Sequence, residues 1–138
     1  MSALVLDSEG VSRLARRGPG TAVGIAHAAL AAALRSNCPV LIPAAVLAEQ
    51  YRGGRYDQPI DAFLARHGQA ITIVDTDRAL ARAVGNLLAR HQLGTAHHVD
   101  ATVVAVAARA GGGVILTADP DDIVPLAAGV SGSSVVTV

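Results

Sequence analysis

The chain has 138 residues, a formal net charge of zero and five histidines. That length suits one domain, and the neutral balance gives no global electrostatic signal for nucleic acid. All eleven basic residues are Arg, so any mechanism that needs a catalytic lysine is excluded.

Apolar residues make up 51% of the chain and aromatics only 2%, so the core must be built from Ala, Val, Leu and Ile. Cys38 is the only cysteine. It rules out an internal disulfide and any CxxC pair, and it fits a reducing cytosol. The first apolar run is a few residues long, lacks a basic leader and is broken by Asp7 and Glu9, unlike a signal peptide. No run approaches the roughly 18 apolar residues of a membrane span. The expectation is a soluble cytoplasmic protein with no membrane partner.

Residues 3–7 read as a short buried strand, and Asp7-Ser8-Glu9-Gly10 opens a helix through Arg17. Gly18-Pro19-Gly20 breaks the chain, and an Ala-rich helix resumes from Thr21 to Arg35. Pro39 to Pro43 is a punctuated strand, and Ala44 to Tyr51 a helix that carries Glu49. The segment Arg52-Gly53-Gly54-Arg55 ends it. A short helix follows from Pro59 to His67, with Ile60, Phe63 and Leu64 on one face. Ala70 to Val74 is a strand, and Asp75-Thr76-Asp77 is a capping cluster for a helix from Arg78 to Gln92, whose Leu80, Val84, Leu87 and Leu88 fall at helical spacing. The next helix runs from near His97 to Ala110, with a buried stripe of Val99, Val103, Val106 and Ala110. After Gly111-Gly112-Gly113 come a strand at 114–117, a short helix from about Asp121 to Ala128, and a β-rich end at Ser134–Val138. Alternation of this kind predicts a three-layer α/β/α sandwich with a mostly parallel central sheet, organised as one domain over 1–138.

The acids fall where such a fold binds ligands. Asp7 ends the first strand, Asp119 follows the strand at 114–117, and Asp100 opens an apolar helix; open parallel sheets bind ligands outside the carboxyl ends of their strands. Each acid also has an ordinary reading. Asp7 could cap a helix, Glu49 could face solvent, Asp100 could serve the helix dipole, and Asp119 before Pro120 could be turn chemistry. The set says more than its members. Two carboxylates about 4 Å apart repel by roughly 4 kcal/mol at an effective dielectric of 20, and no lysine is present to neutralise several of them. A divalent cation, Mg²⁺ or Mn²⁺, suits an all-oxygen site, although Arg could also serve.

His97 and His98 are adjacent, so on a helix they point about 100° apart. With His27, His67 and His91 scattered, no zinc spacing emerges, and all five read as structural or surface residues.

VLDSEGVSRL, LIPAAVLAEQYRGG and HHVDATVVAVAARAGGGVILTADPDDI, in this order over essentially the whole chain, resemble a PIN-domain ribonuclease of the VapC toxin type. In that family an Asp ends the first strand, matching Asp7, and a Glu lies on the helix after the second strand, matching Glu49. An Asp-Ala pair opens a later apolar helix, matching Asp100-Ala101. A T-x-D pattern ends the next strand, matching Thr117-Ala118-Asp119. Asp122 is the spaced further acid, a position for which Asp121 competes. Ile123 stands where the family often has an aromatic. Ser8 and Thr117 occupy hydroxyl positions able to support the acids.

The resemblance implies metal-dependent RNA hydrolysis with Asp7, Glu49, Asp100 and Asp119 as catalytic residues. These four and Asp122 would hold Mg²⁺ or Mn²⁺. Arg13 and Arg16, then Arg17, Arg52 and Arg55, are candidates for RNA contact. A cognate antitoxin and a homodimer are also implied, with the helical surface around 21–35 and 57–67 as the place for the antitoxin. Three other readings are weaker. A phosphoacceptor receiver needs a lysine, and a haloacid-dehalogenase-type phosphatase wants Asp-x-Asp where this chain has Asp7-Ser8-Glu9. A catalytically silent PIN-like binding module would not need the intact acids.

Overall fold

The computed structural model describes residues 2–16, 18 and 20–138. Its strands are β1 (Leu4–Leu6), β2 (Val40–Pro43), β3 (Ile71–Val74), β4 (Val114–Thr117) and β5 (Ser134–Thr137). They form one sheet in the order β3-β2-β1-β4-β5, and every pairing is parallel. The helices among the described residues are α1 (Ser8–Arg16), α2 (Thr21–Arg35), α3 (Ala44–Gln50), α4 (Gln58–His67), α5 (Arg78–Arg90), α6 (His98–Arg109) and α7 (Pro120–Ala127). The α/β architecture expected from the sequence is therefore present, and its sheet is parallel throughout. Arg17 and Pro19, from the expected helix end and glycine–proline break, lie outside the described residues.

Strand order and handedness fix the layers. The chain steps from β1 to β2 to β3 in one direction, then crosses back to place β4 on the other side of β1. Right-handed crossovers then put α1 to α4 on one face and α5 to α7 on the other. The packing agrees: α1 rests on α2 and α4, while α6 rests on α5 and α7. The connections diverge between β1 and β4, which makes the carboxyl ends of these two strands the switch point at which an open α/β sheet forms its binding crevice.

Elements match the sequence expectation to within a residue or two, with a systematic difference at the ends. The strand expected at 3–7 is Leu4–Leu6 because Asp7 turns to cap α1. Short 3₁₀ turns at Gly54–Tyr56, Gly68–Ala70 and Thr95–His97 occupy stretches that carried no periodic signal. One expectation needs correction. The helix after His97 does not bury a stripe; every residue from Ala101 to Ala107 is buried, whereas Val99 and Ala110 are only partly so. α6 packs on β1, β2 and β4 and also meets α3, α5 and α7. A helix whose middle is enclosed by its neighbours is apolar all round there, and its small Ala and Val side chains let those neighbours approach.

The tight turn from α6 into β4 is set by one backbone contact. Gly113 has φ 157°, and a Cβ there would sit 2.3 Å from the carbonyl oxygen of Ala3. The Val114 amide donates to that same oxygen at 2.9 Å, which starts the β1–β4 ladder. Gly113→Ala is expected to cost about 3 kcal/mol or more through overpacking and a disallowed φ. Gly129→Ala, with no atom within 4 Å of the added carbon, should be near neutral. Urea denaturation of both variants checks this.

Candidate metal centre at the sheet switch point

The β1–β4 register pairs Leu4 with Val114, Val5 with Ile115 and Leu6 with Leu116, so the next pair up is Asp7 and Thr117. The Asp7 amide donates to the Leu116 carbonyl at 3.2 Å. Its carboxylate turns into the first turn of α1, where Oδ1 accepts from the Gly10 amide at 2.9 Å. Asp7 is thus a helix cap. It is also buried, at 7% exposure, and among the described residues it has no ion-pair partner. Gly10 allows this close approach, since a Cβ there would lie 3.1 Å from the Leu116 carbonyl oxygen.

Burial pushes the Asp7 carboxyl up to about 6. Hydrogen bonding from Thr117 and the Gly10 amide pulls the other way, and the charges of Glu9 and Asp100 push it further up. Asp100, in the first turn of α6, is also raised, first by burial and then by Asp122 and Asp119; His97 opposes this, and Glu49 adds to it. Asp119 is exposed and raised chiefly by the neighbouring charge of Asp122. It stands at the N-cap position of α7, yet its side chain caps nothing. Its amide instead donates to the Thr117 hydroxyl at 2.9 Å. Asp122 follows in the first turn of α7.

Glu49 reaches the same rim from the last turn of α3. Ser8 Oγ donates a short hydrogen bond to Glu49 Oε1, and Gln50 Nε2 donates to the Ser8 carbonyl at 3.0 Å, tying α3 to the start of α1. Asp7, Ser8, Glu49, Asp100, Thr117, Asp119 and Asp122 therefore gather at one edge, joined by hydrogen bonds or by mutual repulsion. Asp121 is exposed and lines a cavity of about 170 Å³ together with Asp122. Of the two competing acids, Asp122 is the one that faces Asp100.

Asp77 shows what a structural acid looks like in this fold. Its Oδ1 accepts from the Leu80 amide at 2.7 Å as the N-cap of α5, and Arg109 Nη1 lies 3.2 Å away. Both hold its carboxyl below the ordinary range, the amide most. Among the described residues the ion pairs are Glu9–Arg13, Asp77–Arg109 and the contact of His97 with Asp100. Among the described residues no arginine pairs with Asp7, Glu49, Asp100, Asp119 or Asp122. An oxygen-rich group of carboxylates that repel one another without a counter-charge fits a divalent cation.

His97, read from the sequence among structural or surface histidines, lies beside the acids. Its Nδ1 lies 4.0 Å from Asp100 Oδ2, and His97, Asp100 and Asp122 offer ligand atoms all within 4.8 Å of one another. The signal in the sequence was its i, i+3 spacing from Asp100, which puts both on one side of a helical turn; only the partner from α7 was hidden. The arginines divide. Arg13 is half-exposed beside Glu9 at 4.0 Å. Arg16 donates to the carbonyls of Gln50 and Tyr56 at 3.3 and 3.4 Å, and Arg52 to those of Ala48 and Tyr51. Arg55 stacks over the Tyr56 ring.

A cleft of about 700 Å³ lies away from these acids, between α5, the C-terminal half of α6 and the loop at Gly129–Ser131. It contains no carboxylate, so it does not offer the chemistry of the rim.

The raised carboxyl of Asp7 sets a pH dependence. The folded chain keeps this proton to about pH 6, whereas the unfolded chain releases it near 3.8. The folded state therefore binds more protons in that window. Stability of the metal-free protein falls as pH rises through it, by up to about 3 kcal/mol. Asp7→Asn, which keeps an acceptor for the Gly10 amide, should flatten this slope. It should also stabilise the metal-free protein at pH 7.5 by about 1–3 kcal/mol; thermal unfolding in EDTA across pH 4–8 checks both.

No helix among the described residues is long and apolar enough to cross a membrane. No curated protein matches the chain closely enough to serve as a relative. The family model described as PIN domain matches residues 23–125, a span that contains Glu49, Asp100, Thr117, Asp119 and Asp122. Asp7 and Ser8 precede it and reach the rim through the β1–β4 register. With most of its length matched and its acids at the switch point of a parallel sheet, the chain belongs to the PIN domain family.

Proposed function

We propose that this protein is a metal-dependent endoribonuclease of the VapC toxin type, which hydrolyses RNA phosphodiester bonds in the cytoplasm and is restrained by a cognate antitoxin. The observation that carries the reading is the set of uncompensated carboxylates at the β1–β4 switch point. PIN domains are generally nucleases that use divalent ions, and a group of acids without arginine partners is what such an ion requires.

Asp7, Asp100, Asp119 and Asp122, with Glu49, are the residues that would hold Mg²⁺ or Mn²⁺. An ion bound there supplies a Lewis acid that offsets phosphate charge and makes water nucleophilic at neutral pH. The chain's own groups provide the rest. The Ser8 hydroxyl holds Glu49 in one orientation. Thr117, at the crest of β4, favours the charged form of Asp7 and accepts from the Asp119 amide. Asp100 and Asp122 sit in the first turns of α6 and α7, where the helix ends favour negative charge on the carboxylate or on an incoming phosphate. The acids would act as ligands rather than bases, because a carboxylate lone pair that holds a cation is not free to take a proton.

Arg13 is the better candidate for RNA contact, since the guanidinium of Arg16 is committed to the loop after α3. The antitoxin is assigned to the face of α2 and α4. There a hollow of about 230 Å³ lined by Leu14, Leu30, Leu34, Phe63 and His67 offers an apolar seat for a bulky side chain. A homodimer completes the assembly.

Purified protein incubated with a pool of tRNA and rRNA should give discrete fragments with Mg²⁺ or Mn²⁺ and none with EDTA. Asp7→Asn and Asp100→Asn should each lower the rate on the order of 100-fold or more, the scale of losing a metal-site group. Fragments that persist in both variants would mean another nuclease or another site. No cleavage by the metal-loaded chain over a wide substrate range would leave a binding module. Separately, co-expression with the antitoxin should raise soluble yield and suppress growth arrest; a chain equally soluble and harmless alone would remove the toxin assignment.

A further inference from the structure

His97 introduces a nitrogen donor into a rim that is otherwise all oxygen. It ends the 3₁₀ turn Thr95–His97 and stands at the N-cap position of α6, where its side chain makes no capping hydrogen bond. Its one polar contact is with Asp100, at 4.0 Å from Nδ1 to Oδ2, with both side chains about one-third exposed. Asp122 arrives from the start of α7, and ligand atoms of the three residues all lie within 4.8 Å of one another. Around a first-row ion with bonds of roughly 2.0–2.2 Å, neighbouring ligands sit about 3 Å apart, so small side-chain rotations close this triad.

A cavity opens beside the triad. It has a volume of about 170 Å³ and is lined by His97 and Asp122 together with His91, Asp121 and apolar groups of the α5–α6 loop and α7. A water occupies about 30 Å³ of liquid, so there is space for the water ligands that three protein donors leave to be supplied. No arginine lines it.

We propose that His97 is a metal ligand, forming with Asp100 and Asp122 a mixed nitrogen–oxygen subsite that selects a first-row transition cation such as Mn²⁺ over Mg²⁺. The inference rests on the reading that the acidic rim holds a divalent cation, and it adds the ligand that decides which one. Imidazole suits first-row transition ions such as Fe²⁺, Ni²⁺ and Zn²⁺, whereas Mg²⁺ keeps to oxygen donors; Mn²⁺, the weakest binder of that series, is the stringent and paramagnetic probe. The adjacent His98 is exposed and belongs to the first turn of α6; the i, i+3 partner of Asp100 is His97 alone.

The test uses the full chain and Mn²⁺ alone. Electron paramagnetic resonance of free Mn²⁺ counts the ions bound, and electron spin echo envelope modulation of the bound ion detects a directly coordinated ¹⁴N. Wild-type protein should bind Mn²⁺, show ¹⁴N modulation, and hold the ion against excess Mg²⁺. His97→Gln should still bind Mn²⁺ through the carboxylates, lose the modulation, and yield the ion to Mg²⁺ at a concentration on the order of 10-fold lower or less. Bound Mn²⁺ without ¹⁴N modulation in the wild type would overturn the proposal and leave the carboxylate site standing. Modulation that survives His97→Gln would overturn it in favour of another histidine. Failure of the wild-type chain to bind Mn²⁺ at all would overturn both this proposal and the metal reading beneath it.

Discussion

The parallel pairing of β1 with β4 is the constraint on which the rest of this molecule depends. These strands are the third and fourth of the sheet order, and the chain's connections part between them. Their register carries Asp7 to the level of Thr117, at the one edge position where helices from both faces converge. Two glycines make the pairing possible by different means. Gly113 lets the backbone pass against Ala3 at the foot of the strands, and Gly10 lets α1 close over Leu116 at their crest. A side chain at either point would separate the layers that bring Asp7, Glu49 and Asp100 together.

Electrostatics divides the acids of this chain into two kinds. Asp77 is satisfied: an amide and a guanidinium share its charge, and it links the start of α5 to the end of α6. Asp57 is of the same kind, accepting from the Arg52 and Gly53 amides in the loop before α4. Asp7, Asp100 and Asp119 are held where burial and the charge of neighbouring acids resist their ionisation. Among the described residues no arginine offsets that cost; Arg16 and Arg52 bond backbone carbonyls around α3 instead. Stability given up at a site and regained on ligand binding is the usual relation between a preorganised charged centre and its counter-ion.

The absence of lysine shapes this arrangement. A flexible ammonium could fold back onto a free carboxylate and neutralise it, whereas the planar guanidiniums of Arg16 and Arg52 are pinned by fork-like contacts to carbonyl oxygens. The rim therefore stays negative while the loop after α3 stays ordered. His97 lies beside Asp100, and it can meet the acids as a neutral donor as well as a cation.

Much of this was legible in the residues themselves. Continuous apolar runs of four or so bounded by Pro, Gly and Asp specify buried parallel strands, and Ala-rich stretches with 3.6-residue spacing specify the helices between them. An acid at the end of each of two such strands already pointed to the switch point, because side chains just past a strand's carboxyl end can only lie at that edge. Sequence also held the i, i+3 relation of His97 to Asp100. It could not show the enclosure of α6, since an apolar helix reads alike whether one face or all faces are covered. Nor could it choose between Asp121 and Asp122, which differ by a rotation of about 100° on a helix whose placement depends on α6. The opposition of His97 to Asp122 was equally out of reach, because those residues belong to different helices. Local chemistry, written in neighbouring residues, determined the elements and the kind of site. Distances between elements depend on how layers pack, and only the tertiary structure decided which donors face one another.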